Sequence, residues 1–89
     1  MLRLVRTNQF KRDYKLARKR GYSLRKLAEV VTLIASGESL PPKHRDHGLL
    51  GEYSDCRECH IQPDWLLIYR TRRDELSLIR TGTHADLFE

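Results

Sequence analysis

Three strand-like runs in the second half of this 89-residue chain, about 52–62, 65–71 and 75–81, are separated only by Pro63-Asp64 and Arg72-Arg73-Asp74. Linkers that short can join neighbouring antiparallel strands but cannot carry a parallel crossover, so the three runs form a meander. Whatever precedes the meander must cover one of its faces.

The first half offers a strand and two helices for that purpose. Leu2 and Leu4 alternate with Arg3 ahead of Val5, which suits a short opening strand. Thr7 or Asn8 can then cap a helix that Gly21 ends. Phe10, Tyr14 and Ala17 fall at i, i+4 and i+7 and make a narrow apolar stripe, while Lys11, Arg12, Lys15, Arg18 and Lys19 cover the rest of the helix. Ser23 is the next N-cap candidate, with Leu24, Leu27, Val31 and Ile34 at helical spacing behind it and Gly37 as the stop. From Glu38 to Gly51 two prolines and two glycines predict an irregular loop, long enough in so small a chain to suggest a functional role. The expected fold is α+β in the order β-α-α-β-β-β, two N-terminal helices packed on a small, curved, mainly antiparallel sheet. Residues 1–89 make one domain, since a chain this short has no room for a second core.

Charge narrows the class of partner. Of the net +5, residues 1–26 hold ten Lys/Arg against Asp13 alone, a local +9, which leaves −4 for the remainder. Positive charge gathered in one segment is the footprint expected for a polyanion, although a solvated helix face would look the same from sequence. No apolar stretch approaches the ~18 residues of a membrane span and the N-terminus has no apolar signal core, so the expected compartment is the cytoplasm, with no membrane partner. Two cysteines alone do not make a disulfide framework.

Cys56-Arg57-Glu58-Cys59-His60 matches the spacing of covalent haem attachment, but the only methionine is Met1 and nothing else suggests a haem pocket. His44 and His47 with Cys56 and Cys59 could supply four zinc ligands. Strand alternation opposes this, because residues an odd number apart point to opposite faces. No metal or cofactor is therefore expected. The same alternation pairs Cys59 with Ile61 in the core and sets Glu58, His60 and Gln62 on the other face.

Four histidines, His44, His47, His60 and His84, are many for this length, and imidazole is the side chain best suited to proton transfer near neutrality. Cleaving RNA without a metal needs a base for the 2′-hydroxyl proton, an acid for the leaving 5′-oxygen and a cation for the phosphorane-like charge. Arg80 and His84 flank Gly82 at the end of the last strand, and Asp64 and Trp65 occupy a turn. Singly, each has an ordinary structural explanation; what counts is that the 43–51 loop, the first meander strand, the 63–65 turn and the end of the last strand can all meet along one side.

These residues fall in a recognisable order: Asp46-His47 with Leu49, then Arg57-Glu58-Cys59-His60-Ile61, Pro63-Asp64-Trp65-Leu66-Leu67-Ile68-Tyr69, and finally Arg80-Thr81-Gly82-Thr83-His84 with Asp86-Leu87-Phe88. The pattern resembles the YafQ branch of the RelE/ParE toxin superfamily over essentially the whole chain. The resemblance implies a RelE-like fold and a type II toxin that enters the ribosomal A site, cuts translated messenger RNA and is neutralised by a DinJ-type antitoxin, with a toxin–antitoxin heterotetramer among the assemblies it allows. Carried over by motif, His84 would be the principal general acid/base, with His47, His60 and Asp64 supporting it. Arg80 would bind the scissile phosphate, and Trp65 and Phe88 would shape the site or stack on bases. Glu58 stands where an aspartate is usual, which keeps the carboxylate but changes its reach. Lys11, Lys15 and Arg18 would bind the RNA of ribosome and message. His44 is taken as an ordinary loop residue. The alternative is a non-nuclease gyrase inhibitor of the same superfamily, or a simple nucleic-acid-binding module; neither needs converging His, Asp and Arg side chains.

Overall fold

A computed structural model describes residues 1–88. Its elements are β1 (Arg3–Arg6), α1 (Asn8–Lys19), α2 (Leu24–Ala35), β2 (His47–Gly48), β3 (Arg57–Gln62), β4 (Trp65–Arg72), β5 (Glu75–Gly82) and α3 (His84–Phe88), with single 3-10 turns at Pro42–His44 and Gly51–Tyr53. The class is α+β as expected. The meander forms the middle of a five-stranded sheet of order β1-β5-β4-β3-β2. β1 runs parallel to β5, with Leu4 opposite Leu76, and the other three pairings are antiparallel.

Thr7 caps α1 and also fastens it to the sheet. Its Oγ1 accepts from the Phe10 backbone N–H at 2.9 Å and donates to the Ile79 carbonyl at 2.7 Å. The helix closes with Tyr22 N–H on the Ala17 carbonyl and Gly21 N–H on that of Arg18, a pattern that needs the left-handed backbone Gly21 supplies at φ +78°. At α2, Ser23 stands at the N-cap position but its side chain makes no capping bond, so its hydroxyl does not serve there as the spacing predicts.

The core has two parts, one on each sheet face. Phe10, Ala17, Leu27, Val30 and Ile34 of the helices pack on Cys59, Ile61, Trp65, Leu67, Tyr69, Leu76 and Leu78. The inner stripe of α2 thus runs through Val30, with Val31 only partly buried. The opposite face holds a smaller cluster of Cys56, Leu66, Ile68 and Leu87, flanked by Leu49, Tyr53 and Ile79. Cys56 and Cys59 lie in different clusters, Cys59 within β3 and Cys56 just before its first residue.

Three features differ from the sequence reading. The 38–51 segment is not wholly irregular, because His47–Gly48 adds an edge strand to β3. The first meander strand begins at Arg57 and not near 52, since Gly51–Tyr53 turns as 3-10 helix. The C-terminal tail is the helix α3, whose first turn is closed reciprocally: Thr83 N–H donates to Asp86 Oδ2 at 2.9 Å and Asp86 N–H to Thr83 Oγ1 at 3.1 Å. Among the described residues no helix is long and apolar enough to cross a membrane.

Candidate active site

The sheet face opposite α1 and α2 is only partly covered, and the polar residues of β3, β5 and the flanking turns gather on it. Register fixes their order: His47 lies opposite Glu58, Glu58 opposite Ile68 and Ile68 opposite Arg80, while in the next row His60 lies opposite Leu66 and Leu66 opposite Gly82. Between Ile68 and Tyr69 the register slips, leaving Ile79 as the extra residue of a bulge. The bulge sets Arg80 on the same face as Ile68 and Glu58 while Thr81 turns into the core opposite Leu67.

Glu58 is the buried hub, 5% exposed. Its Oε1 is 3.6 Å from His47 Nε2 and 3.6 Å from His60 Nε2. Each ring places its other nitrogen against a carbonyl oxygen: His47 Nδ1 lies 2.6 Å from that of Arg45, and His60 Nδ1 3.2 Å from that of Pro63. A carbonyl only accepts, so Nδ1 carries the hydrogen in both rings and Nε2 is turned toward the carboxylate. His47 is held there by its neighbour Asp46, which accepts from Arg57 Nε at 3.1 Å and from the Tyr69 hydroxyl at 2.5 Å. Arg45, just before them, takes a left-handed backbone at φ 46°, the kind of local strain that surrounding bonds must maintain.

His84 enters from the start of α3, its ring centroid 5.7 Å from that of His60. Asp64, from the turn between β3 and β4, accepts on one oxygen from both the His84 backbone N–H at 3.0 Å and the ring Nδ1 at 2.7 Å. These bonds, the backbone one first, hold the Asp64 carboxyl below the usual range. With Nδ1 occupied, His84 Nε2 is the nitrogen left for chemistry, on a side chain 54% exposed.

Arg80 is clamped by Asp13 of α1. Nε donates to Oδ2 and Nη2 to Oδ1, both at 3.0 Å, a two-pronged pair on a side chain 22% exposed. Asp13, followed by Tyr53, raises the Arg80 pKa further, so this cation is permanent. Phe88 is exposed and meets Tyr53 edge-on at 6.4 Å, beside a cleft of about 370 Å³ also lined by Leu50, Glu52 and Leu87. Lys11, Lys15 and Arg18 are exposed on α1, which packs along β5, and none of them enters the histidine cluster.

Of the two roles that the resemblance implies for Trp65, shaping the site or stacking on a base, the second fails. Trp65 is 2% exposed, on the helix side of the sheet, with its ring 4.9 Å from that of Tyr22. It cannot stack on a base; its indole is core. His44 also departs from the sequence reading, because its Nδ1 is 2.6 Å from the His60 carbonyl and braces β3 beneath the site. In sequence Asp13 stands out only as a lone acid in a basic segment; its place between Phe10 and Ala17 on the inner stripe of α1 is the available sign that it faces inward.

Zinc ligation by His44, His47, Cys56 and Cys59 does not assemble, since the two cysteines lie buried on opposite sides of the sheet. A different donor set does: Glu58, His60 and His84 each place one ligand atom within 4.8 Å of the others. Two imidazoles and a carboxylate fit zinc or copper, so the residues are compatible with a divalent cation.

Residues 2–89 match the family model described as a bacterial toxin of type II toxin–antitoxin systems, YafQ. The chain is 41% identical to the mRNA interferase toxin YafQ of Escherichia coli over 92% of its own length and 90% of the relative's. Among solved structures it resembles YafQ in the E. coli DinJ–YafQ complex, with a TM-score of 0.91, 39% identity and full coverage of both chains. It resembles equally a metal-bound toxin from Helicobacter pylori, with a TM-score of 0.93, 40% identity and coverage of 99% of this chain and 100% of the other.

Proposed function

This chain belongs to the YafQ family of bacterial type II toxins, and on that premise we propose that it is an endoribonuclease, an mRNA interferase held inactive by a DinJ-like antitoxin. It works in the cytoplasm on translated message in the ribosomal A site, with residues 1–89 acting as one toxin domain. The observation that carries the reading is the His84 ring, pinned by Asp64 through Nδ1, with Nε2 left free beside His60.

The chemistry follows from what each group can do. A 2′-oxygen attacks the neighbouring phosphorus as its proton passes to a base. The phosphorus–O5′ bond then breaks as an acid protonates the leaving oxygen, giving a 2′,3′-cyclic phosphate and a 5′-hydroxyl. His84 is the principal proton-transfer group. His60 and His47, both turned onto Glu58, support it, and the Glu58 carboxylate stabilises whichever ring carries the extra proton. Asp64 keeps His84 in one tautomer and one orientation. Arg80 meets the charge that grows on the phosphate oxygens. Phe88 offers a face to a base beside the scissile bond. Lys11, Lys15 and Arg18 neutralise phosphates of ribosomal or messenger RNA, so association should weaken as salt rises. A divalent cation held by Glu58, His60 and His84 would supply Lewis-acid assistance at the phosphate, but it would take the imidazole nitrogens that the proton transfers need, so it would act in their place and not beside them.

Mapping RNA ends after brief expression tests the reading. The expected result is discrete breaks inside translated reading frames, abolished by the antitoxin. Intact message together with induction of the DNA-damage response would replace it with gyrase inhibition.

A further inference from the structure

Asp13 is the one acid among the first 26 residues, which carry ten Lys/Arg, and it is buried to 8% exposure. Four donors converge on its carboxylate: Arg80 Nε and Nη2 at 3.0 Å each, the Thr81 backbone N–H at 3.2 Å and Gln9 Nε2 at 3.0 Å. A solubilising surface charge would not be placed this way. Nor is it a simple helix-to-sheet tie, because Thr7 already joins α1 to β5 through the Ile79 carbonyl and does so without a buried charge.

Resting on the nuclease reading above, we propose that Asp13 is a positioning residue for RNA cleavage, fixing the Arg80 guanidinium in the one orientation that meets the scissile phosphate. A guanidinium has five N–H donors in a rigid plane. Two of them are turned onto Asp13, so the other three are directed away from the carboxylate, on a side chain still 22% exposed. Pairing with Ile68 past the β5 bulge fixes the sheet face from which Arg80 leaves, but its long side chain would otherwise sample many rotamers. The carboxylate exchanges that freedom for a single pose. The Thr81 N–H bond sets the carboxylate against the very strand that bears the arginine.

The test is a double-mutant cycle on cleavage in a translating extract, using full-length protein freed from its antitoxin. Asp13→Asn keeps the shape but offers one acceptor oxygen in place of two. It should lower the maximal cleavage rate by about 10- to 100-fold, the scale of a displaced transition-state contact, while the toxin concentration giving half-maximal rate changes far less. In an Arg80→Ala background the same substitution should cost nothing further. An equal fractional loss in both backgrounds would show that Asp13 acts on the fold and not through Arg80. If Asp13→Asn fails to fold, Asp13→Glu replaces it in the cycle, since it keeps both oxygens and moves them by one methylene; a wild-type rate there, with the wild-type melting temperature, also overturns the proposal. Wild-type cleavage in the same extract is the control for the nuclease reading itself: if the wild type does not cut, that reading fails, whatever the cycle gives.

Discussion

His84 is joined to Asp64 twice through a single carboxylate oxygen, by its backbone N–H at 3.0 Å and by its ring Nδ1 at 2.7 Å. The two bonds set the position of the first residue of α3 and the tautomer of its ring together, although Asp64 is 20 residues away in sequence.

Asp64→Asn should therefore impair cleavage more than stability, with a rate loss of about 10- to 100-fold from a misplaced acid/base group. The donated bonds hold the Asp64 carboxyl below its usual range, so the linkage runs in one direction: the ionised form is present above that depressed value and is lost only as pH falls through it. Between about pH 6 and 8, where imidazoles titrate, Asp64 stays ionised throughout. The ratio of wild-type to mutant rates should accordingly stay well above one at both ends of that window when followed by single-turnover cleavage. A ratio that shrinks toward one at the acid end would show that Asp64 itself titrates there.

Gly82 lets α3 lie close against β5. A Cβ at this position would sit 2.9 Å from both Cβ and Oδ2 of Asp86, and that carboxylate cannot swing away, being held by Arg20 at 2.6 and 3.2 Å and by Thr83 N–H at 2.9 Å. Gly82→Ala should thus displace α3, costing about 1–3 kcal/mol in denaturant melts through overpacking and moving His84 out of register with His60. Unchanged stability together with an unchanged cleavage rate would mean that α3 is not seated as described.

Both thiols should be inert in the folded protein. Burial pushes the Cys59 thiol up to about 12 and raises that of Cys56 above its ordinary value, so little thiolate exists near pH 8. Iodoacetamide should label the native protein negligibly and take up two equivalents after unfolding. Rapid labelling of one cysteine in the native state would contradict its placement in the core.

Much of this arrangement was legible in the sequence because its signals are local. Period-two alternation placed Cys59 and Ile61 in one core and turned Glu58 and His60 to the other face, and the tight Pro63-Asp64 turn put a carboxylate at the mouth of the sheet. What the sequence hid depends on distant partners. Asp13 and Arg80 are 67 residues apart, and nothing near either one announces the other. β2 is two residues long and exists only because β3 offers an edge. The five-residue α3 is too short to form alone and is held by Arg20 from the end of α1. Trp65 carried an ambiguous signal, since a ring at a turn can face either way, and burial against Tyr22 decided it.

If His84 moves protons during RNA cleavage, as proposed, His84→Ala should reveal it in a purified translating system. A general acid/base typically contributes roughly 10²- to 10⁴-fold, so the variant should cut ribosome-bound message at least a hundredfold more slowly while retaining the wild-type circular-dichroism spectrum and melting transition. Cleavage at the wild-type rate by that folded variant would remove His84 from proton transfer.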